Sequence, residues 1–314
     1  MYEQIARNKR RTVLYIGVFV LVWLGIGAIV GTLYDAFSPG RPGAPSTEPR
    51  DLVAGIALAL VLAAAATAFT LRSGTRLVLS VAGARPADPA AYPQLHHLVE
   101  ALALGDGLPT PRIYVVQDPS PNAFATGTSP ARAAVTVTSG LLAVMDREQL
   151  EGVLAHEMSH IKNYDTRLLL VISTLIGLAG LLASILWRST LFGRSRGRGG
   201  AQLMLLIFAA AALLSVVGFI LGPIIRMALS RRRESLADAA GVELCRNPAG
   251  LIRALRTLQA NDTPLARVNH ATAAMCIDDP LQHRRGRLHR LFDTHPPITE
   301  RIASLERMAQ GLTV

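Results

Sequence analysis

The chain has 314 residues, half of them hydrophobic and only 17% charged, with a mean hydropathy of +0.34. A soluble domain carries about 25% charged residues, so this composition excludes disorder and argues against an ordinary cytosolic enzyme. The net charge of +10 would suit nucleic acid, but in so apolar a chain it points to membrane contact, and two cysteines, Cys245 and Cys276, allow neither a disulfide framework nor a cysteine-based zinc ribbon.

Residues 13–34 and 52–71 are the first two charge-free apolar runs. Each reaches the ~20 residues needed to cross a hydrocarbon core as a helix. The first is too long for a cleaved signal peptide and lacks a small-x-small site after it. Arg7, Lys9, Arg10 and Arg11 precede it, which puts the N-terminus in the cytoplasm and the loop 35–51 outside. Residues 72–166 then return to the cytoplasm. Within them, 92–104 reads as a helix, and 112–116 and 133–138 as short strands bounded by Pro, Gly and Ser. Another helix starts at Asp146, with Asp146 and Gln149 spaced as a capping box. Residues 168–187 and 202–225 form a second apolar pair, the first of these carrying the small residues Ala179, Gly180, Ala183 and Ser184. The basic loop between them holds Arg188, Arg194, Arg196 and Arg198. That conflicts with its expected outside position, so a hairpin that dips without crossing stays open. Residues 229–314 read as cytoplasmic and mostly helical, with breaks at Asn247-Pro248, Asp279-Pro280 and His295-Pro296-Pro297. The chain is thus expected to divide into a membrane hairpin (1–71), half of a soluble domain (72–166), a second hairpin (167–228) and the other half (229–314).

The chemistry begins in the helix after Asp146, which reads Leu154-Ala155-His156-Glu157-Met158-Ser159-His160-Ile161. Residues four apart share a helix face, so His156 and His160 can grip one ion through imidazole nitrogens. Glu157 flanks that face and can accept a proton from water held there. This is the His-Glu-x-x-His pattern of zinc peptidases, and zinc suits a site of three protein ligands plus water. After the fourth apolar run the chain reads Arg231-Arg232-Arg233-Glu234-Ser235-Leu236-Ala237-Asp238. Glu234 and Asp238 are also four apart. One carboxylate can complete a His, His, Glu site, and the other can orient a ligand histidine through its second nitrogen.

A His-Glu-x-x-His helix running into a membrane hairpin, followed by Glu-x-x-x-Asp, resembles the HtpX-type membrane metalloproteases, which share a superfamily with the CAAX prenyl endopeptidases. Three more segments carry the resemblance. Pro121-Asn122-Ala123-Phe124-Ala125-Thr126-Gly127 is similar to the family's Asn-Ala-Phe-Ala strand. Val137-Thr138-Ser139-Gly140-Leu141-Leu142 resembles the strand-to-helix turn before the zinc helix. Thr294-His295-Pro296-Pro297 with Arg301 resembles the C-terminal His-Pro-Pro-x-x-x-Arg motif. The resemblance implies an α-helical integral membrane protein with a zincin-like, mainly-α metalloprotease domain carrying a small β-sheet, its zinc helix joined to a transmembrane hairpin. It implies one Zn2+ on His156, His160 and Glu234, with Glu157 as general base. It implies Asp238 as the carboxylate behind a ligand histidine, His295 as a catalytic donor to the developing oxyanion, and Arg301 as a partner for an acid such as Asp238. Asn122 and Ala123 would lie on an edge strand to which a substrate peptide adds.

The expected function is zinc-dependent endopeptidase cleavage of cytoplasmic segments of misfolded or damaged membrane proteins under stress, and of the chain itself. The expected location is the bacterial inner membrane, multi-pass, with the protease domain facing the cytoplasm. Its partners would be the lipid bilayer and polypeptide substrates, with no nucleic acid, and a homo-oligomer stays open. Two alternatives remain. A CAAX-type prenyl endopeptidase shares the motifs, although that resemblance implies seven spans and a larger chamber. A proteolytically silent zinc-binding membrane scaffold would not need Glu157. Zinc transport is disfavoured because no apolar run contains Asp, Glu, Lys, Arg or His.

Overall fold

The computed structural model describes residues 2–37, 50–192, 198–216, 222–261, 276–277 and 297–310. In chain order these form α1 (Tyr2–Phe37), α2 (Arg50–Ala82), β1 (Arg85–Pro86), α3 (Pro93–Gly105), β2 (Arg112–Val116), β3 (Ala123–Gly127), β4 (Ala133–Thr138), α4 (Ser139–Val144), α5 (Arg147–Lys162), α6 (Asp165–Phe192), α7 (Arg198–Ser215), α8 (Gly222–Cys245), α9 (Pro248–Gln259) and α10 (Ile298–Ala309). They fall into two compact units. One comprises Met1–Arg11, Ser73–Ser173 and Ile224–Val314, and the other Thr12–Arg72 and Thr174–Pro223.

The second unit is made of apolar helix. Among the described residues three helical stretches are long and apolar enough to cross a membrane: Ile5–Thr32, Arg50–Ala82 and Asp165–Arg188. They take in most of the expected run 13–34 and all of 52–71 and 168–187. Residues 217–221 of the expected fourth run lie outside the described residues, and within that run Met204–Ser215 is a shorter apolar helix. Val13, Leu21, Leu58 and Val61 are exposed, a placement that costs in water and is neutral against lipid chains. Helices α1 and α2 meet where both lack side chains. A Cβ on Gly27 would stand 2.5 Å from the Gly55 carbonyl oxygen, so close approach there requires glycine. Helix α2 runs beyond residue 71, the expected end of its apolar run. Hydropathy locates the segment that crosses lipid, not the end of the helix, and Gly74, which costs a helix interior only about 1 kcal/mol, does not stop α2 before Gly83. There the backbone turns left-handed (φ +69°), and the Ala84 N–H bonds back to the Leu79 carbonyl.

The first unit carries a four-stranded sheet in the order β1-β2-β4-β3. Strands β2 and β4 run parallel, while β1 on β2 and β3 on β4 run antiparallel. β2 and β4 occupy the expected 112–116 and 133–138. Every residue of β3 and β4 is buried, which the short β-branched and alanine-rich run of β4 suits. Against this sheet lies α5. Asp146 caps it as expected: its Oδ1 accepts from the Gln149 N–H at 2.8 Å, and Gln149 Oε1 accepts from the Asp146 N–H at 2.9 Å. Leu154 and Met158 of α5, Leu251 and Leu255 of α9, and Val135 and Val137 of β4 share one core. Gly152 permits the α5–α9 contact, since a Cβ there would lie 2.8 Å from the Leu251 nitrogen. The core therefore grips α5 on several sides, and a side chain on its remaining face is positioned without slack.

Candidate active site

From Gly152 to Ile161 every residue of α5 is buried, including His156, Glu157 and His160. Three titratable side chains in one buried stretch need partners, because isolated buried charge is costly. Partners come from α8, α10 and the start of α6. Helix α8 approaches α5 at Gly241, where a Cβ would stand 3.0 Å from the His156 nitrogen. That approach brings Asp238 and Glu234, about one and two turns upstream, over the two histidines.

The ring nitrogens sort by direction. Nε2 of His156 and Nε2 of His160 face each other at 3.2 Å, and stand 3.5 and 3.6 Å from the two carboxylate oxygens of Glu234. The three residues form a potential metal cluster. Tetrahedral zinc with bonds of about 2.0–2.1 Å holds its ligand atoms about 3.3 Å apart, so these side chains fit the ion with little movement. Both Nδ1 atoms point away, toward carboxylates. His156 Nδ1 donates to Asp238 Oδ1 at 2.9 Å, and His160 Nδ1 to Asp165 Oδ2 at 3.1 Å. Each hydrogen bond fixes the tautomer that leaves Nε2 free to ligate.

Behind Asp238 lies Arg301 of α10. Its Nε and Nη2 donate to the two Asp238 oxygens at 2.9 and 2.7 Å, and its Nη1 to the Ile277 carbonyl at 3.0 Å. Burial alone would raise the Asp238 carboxyl, but the Arg301 guanidinium and the His156 hydrogen bond hold it down at about 2. Burial would likewise lower His156, yet its hydrogen bonds to Asp238 and Glu234 prevail and raise the metal-free imidazole to about 9. The Asp238 and Glu234 carboxylates push the Arg301 guanidinium above its ordinary range, outweighing its burial.

Glu157 sits beside the cluster, 1% exposed. The Ala125 N–H of β3 donates to its carboxyl group, and its Oε2 is buried without a hydrogen-bond partner among the described residues. Burial raises its pKa, more than the neighbouring histidines lower it. A buried carboxylate with one oxygen unengaged next to a potential metal site is placed to handle a proton.

The edge strand behaves differently from a bare template. The Asn122 Oδ1 accepts from the Ala123 N–H at 2.9 Å, and the Asn122 N–H donates to Thr138 Oγ1 at 2.8 Å. The Ala123 carbonyl accepts from the Ile277 N–H at 2.9 Å, and Phe124 bridges to Cys276. The chain's own residues thus occupy this part of the β3 edge. His295 lies outside the described residues.

Two residues of the site escape the spacing rules. Asp165 follows α5 by a turn, at neither i+3 nor i+4 from His160. Asn8 reaches Asp165 from α1, with Nδ2 2.7 Å from Asp165 Oδ1. An acid just past the end of a ligand-bearing helix was the only local signal for the first. For the second the sequence offers none.

A profile of peptidase family M48 matches residues 89–309. A protein of Limosilactobacillus fermentum named Protease HtpX homolog is 42% identical over 98% of this chain and all of its own length. Proteins of the same name from Streptococcus mutans and Streptococcus thermophilus are 39% and 41% identical, again over 98% of this chain and all of theirs. Among solved structures, Ste24p of S. mikatae matches 97% of this chain and 66% of its own at 17% identity, with a TM-score of 0.44. Family match and full-length relatives agree with the motif at His156: this chain belongs to peptidase family M48, as an HtpX-type membrane metalloendopeptidase.

Proposed function

We propose that this enzyme is a zinc endopeptidase of the bacterial inner membrane that cleaves cytoplasmic segments of misfolded or damaged membrane proteins, and also its own chain. The observation that carries the zinc reading is the convergence of His156 Nε2, His160 Nε2 and the Glu234 carboxylate at 3.2 to 3.6 Å. Those three residues would hold the ion. Bound there, zinc supplies a Lewis acid for the scissile carbonyl and lowers the pKa of water to about 7. Glu157 takes the proton from the attacking water and returns it to the departing amine, a relay helped by burial, which raises the carboxyl's proton affinity. Asp238 and Asp165 keep both imidazoles turned, and Arg301 keeps Asp238 charged. His295 would donate to the oxyanion that forms as water adds. A substrate would meet β3 at Asn122 and Ala123. Pairing at the Ala123 carbonyl requires exchange of its bond with Ile277.

Cytoplasmic substrates are supported by chain order. The basic N-terminus precedes the first apolar run, and α5 ends at Lys162, three residues before α6 begins. The test incubates metal-free, detergent-purified enzyme with and without zinc, and scores casein cleavage and self-cleavage beside Glu157→Gln. Zinc-dependent cleavage that vanishes in the variant, with zinc still bound, is the expected result. Equal cleavage by the variant would overturn the assignment of Glu157, and silence of both with zinc bound would favour the scaffold.

A further inference from the structure

We infer that Asn8, in the first turns of α1, is a positioning residue for the metal centre, acting through Asp165 on His160. The inference rests on the reading of His156, His160 and Glu234 as metal ligands. Asn8 is fully buried in a stretch otherwise marked by exposed or half-buried charge at Arg7, Lys9, Arg10 and Arg11. A carboxamide nitrogen offers two hydrogens, and the Nδ2 of Asn8 has two acceptors. One is the Asn163 carbonyl at 2.8 Å, at the cap of the zinc helix. The other is Asp165 Oδ1 at 2.7 Å, whose companion Oδ2 holds His160 Nδ1 at 3.1 Å. The path from Asn8 to a ligating nitrogen therefore runs through one carboxylate and one ring.

The same segment steadies the turn that carries Asp165. Between α5 and α6 the chain passes through Tyr164 at φ +60°, a left-handed conformation that costs a residue with a Cβ roughly 1 kcal/mol. The Tyr164 N–H bonds the Ile161 carbonyl, and the Tyr164 carbonyl accepts from the Leu168 N–H. From α1, Lys9 Nζ lies 4.4 Å from the centre of the Tyr164 ring, in cation–π range. Asn8 and Lys9 thus hold adjoining residues of one turn, and the turn sets where Asp165 meets His160. Arg233 supplies a second, longer contact, with Nη1 3.9 Å from Asp165 Oδ1.

The consequence is that the segment before the first apolar run forms part of the metal centre. Outer-shell partners of a ligand histidine change metal affinity by 10–100-fold, so loss of Asn8 should weaken zinc without touching a ligand. The experiment measures zinc affinity by chelator competition on full-length protein in detergent, for wild type, Asn8→Ala, Asn8→Asp, Asp165→Asn, Asn8→Ala with Asp165→Asn, and His156→Ala. Thermal unfolding of each metal-free form is recorded alongside. Asn8→Ala should lose about tenfold in affinity, and Asn8→Asp more, because it places a second carboxylate against Asp165. The double variant should bind little worse than Asp165→Asn alone, since both changes cut the same path. If Asn8→Asp does not fold, Asn8→Ala carries the test. Wild-type zinc affinity in Asn8→Ala, with or without a lowered unfolding temperature, overturns the inference and leaves Asn8 a packing residue. Equal zinc binding by His156→Ala and wild type is a different failure, that of the metal reading itself.

Discussion

Replacing Arg301 with methionine removes a buried cation while keeping most of its volume. Arg301 is 3% exposed and Asp238 2% exposed, so solvent screens their interaction poorly. The substitution deletes two charge-assisted hydrogen bonds to Asp238, of 2.9 and 2.7 Å, and one to the Ile277 carbonyl of 3.0 Å. Among the described residues Asp238 is then left buried with only the His156 hydrogen bond, and burial, which opposes its charge, loses its largest compensation. Removing one partner of a buried ion pair costs about 3–5 kcal/mol. For a folding unit of 150–250 residues each kcal/mol moves Tm by about 2–4 °C, so metal-free Arg301→Met should unfold roughly 6–20 °C below wild type. The matched variant Asp238→Leu with Arg301→Met removes both charges, and should recover about 2 kcal/mol or more relative to the sum of the single losses. The assay is thermal unfolding in detergent with a chelator present, run as a double-mutant cycle. Arg301→Met within about 2 °C of wild type, or strictly additive losses, would show that burial does not govern this pair and would refute the reasoning.

Three other outcomes follow from the same geometry. In metal-free protein the His156 imidazole is raised from 6.5 to about 9, so its contribution to stability is complete below pH 6.5 and is lost as the pH rises to about 9; Asp238 is lowered from 3.8 to about 2, so its contribution is complete above pH 3.8 and is lost as the pH falls toward 2. A metal-free Tm that stays level from pH 6 to 9 would contradict this, and zinc binding, which must displace the His156 proton, should strengthen over that interval. Gly241→Ala places a Cβ 3.0 Å from the His156 backbone nitrogen, so α8 must retreat a few tenths of an ångström with Glu234 and Asp238; zinc affinity should fall, by about tenfold if the Asp238 support is lost with it, whereas Gly105→Ala, which meets only Leu244 at 3.5 Å, should leave it intact. Gly55→Leu blocks the approach of α1 to α2 and should sharply lower the yield of folded protein from membranes, while Gly17→Leu, with nothing within 4 Å, should not; equal yields would count against that contact.

The clustering of the candidate ligands was legible because helix periodicity converts spacing into a shared face. His156 and His160 are four apart, as are Glu234 and Asp238, and the structure places all four in one buried cluster. The capping box at Asp146 and the strands β2 and β4 were legible for the same reason, since their signals lie within a few residues of each other. Helix ends in the apolar segments were not. Hydropathy reports where lipid is tolerated, and α2 continues past its apolar stretch to Gly83 because the single glycine in residues 72–82, Gly74, is too weak a breaker to end it. The occupied edge of β3 was hidden too. The bond from Ile277 to the Ala123 carbonyl joins residues more than 150 positions apart, and no local pattern in Cys276 or Ile277 announces it.

Charge balance explains why such distant residues gather. The side chains linked through the cluster include four carboxylates, Glu157, Asp165, Glu234 and Asp238, and two guanidiniums, Arg233 and Arg301, all 3% exposed or less. With all four carboxylates ionised and both histidines neutral, these described side chains leave two negative charges over. That imbalance is costly in any medium of low polarity, and a divalent cation on His156, His160 and Glu234 would cancel it. Without the ion, the site recovers part of the balance by drawing a proton onto His156, which is why that imidazole rises to about 9 despite complete burial. The two clustered histidines, His156 and His160, are braced by different means. Asp238 faces an arginine that keeps it ionised. Asp165 faces Asn8, a neutral amide that directs it without adding charge, with Arg233 Nη1 at 3.9 Å. A cation in place of Asn8 would remove one of the two surplus charges and weaken the site's demand for a divalent metal. The amide therefore serves geometry and electrostatics together: it orients Asp165 toward His160 while leaving the charge deficit for the metal to fill.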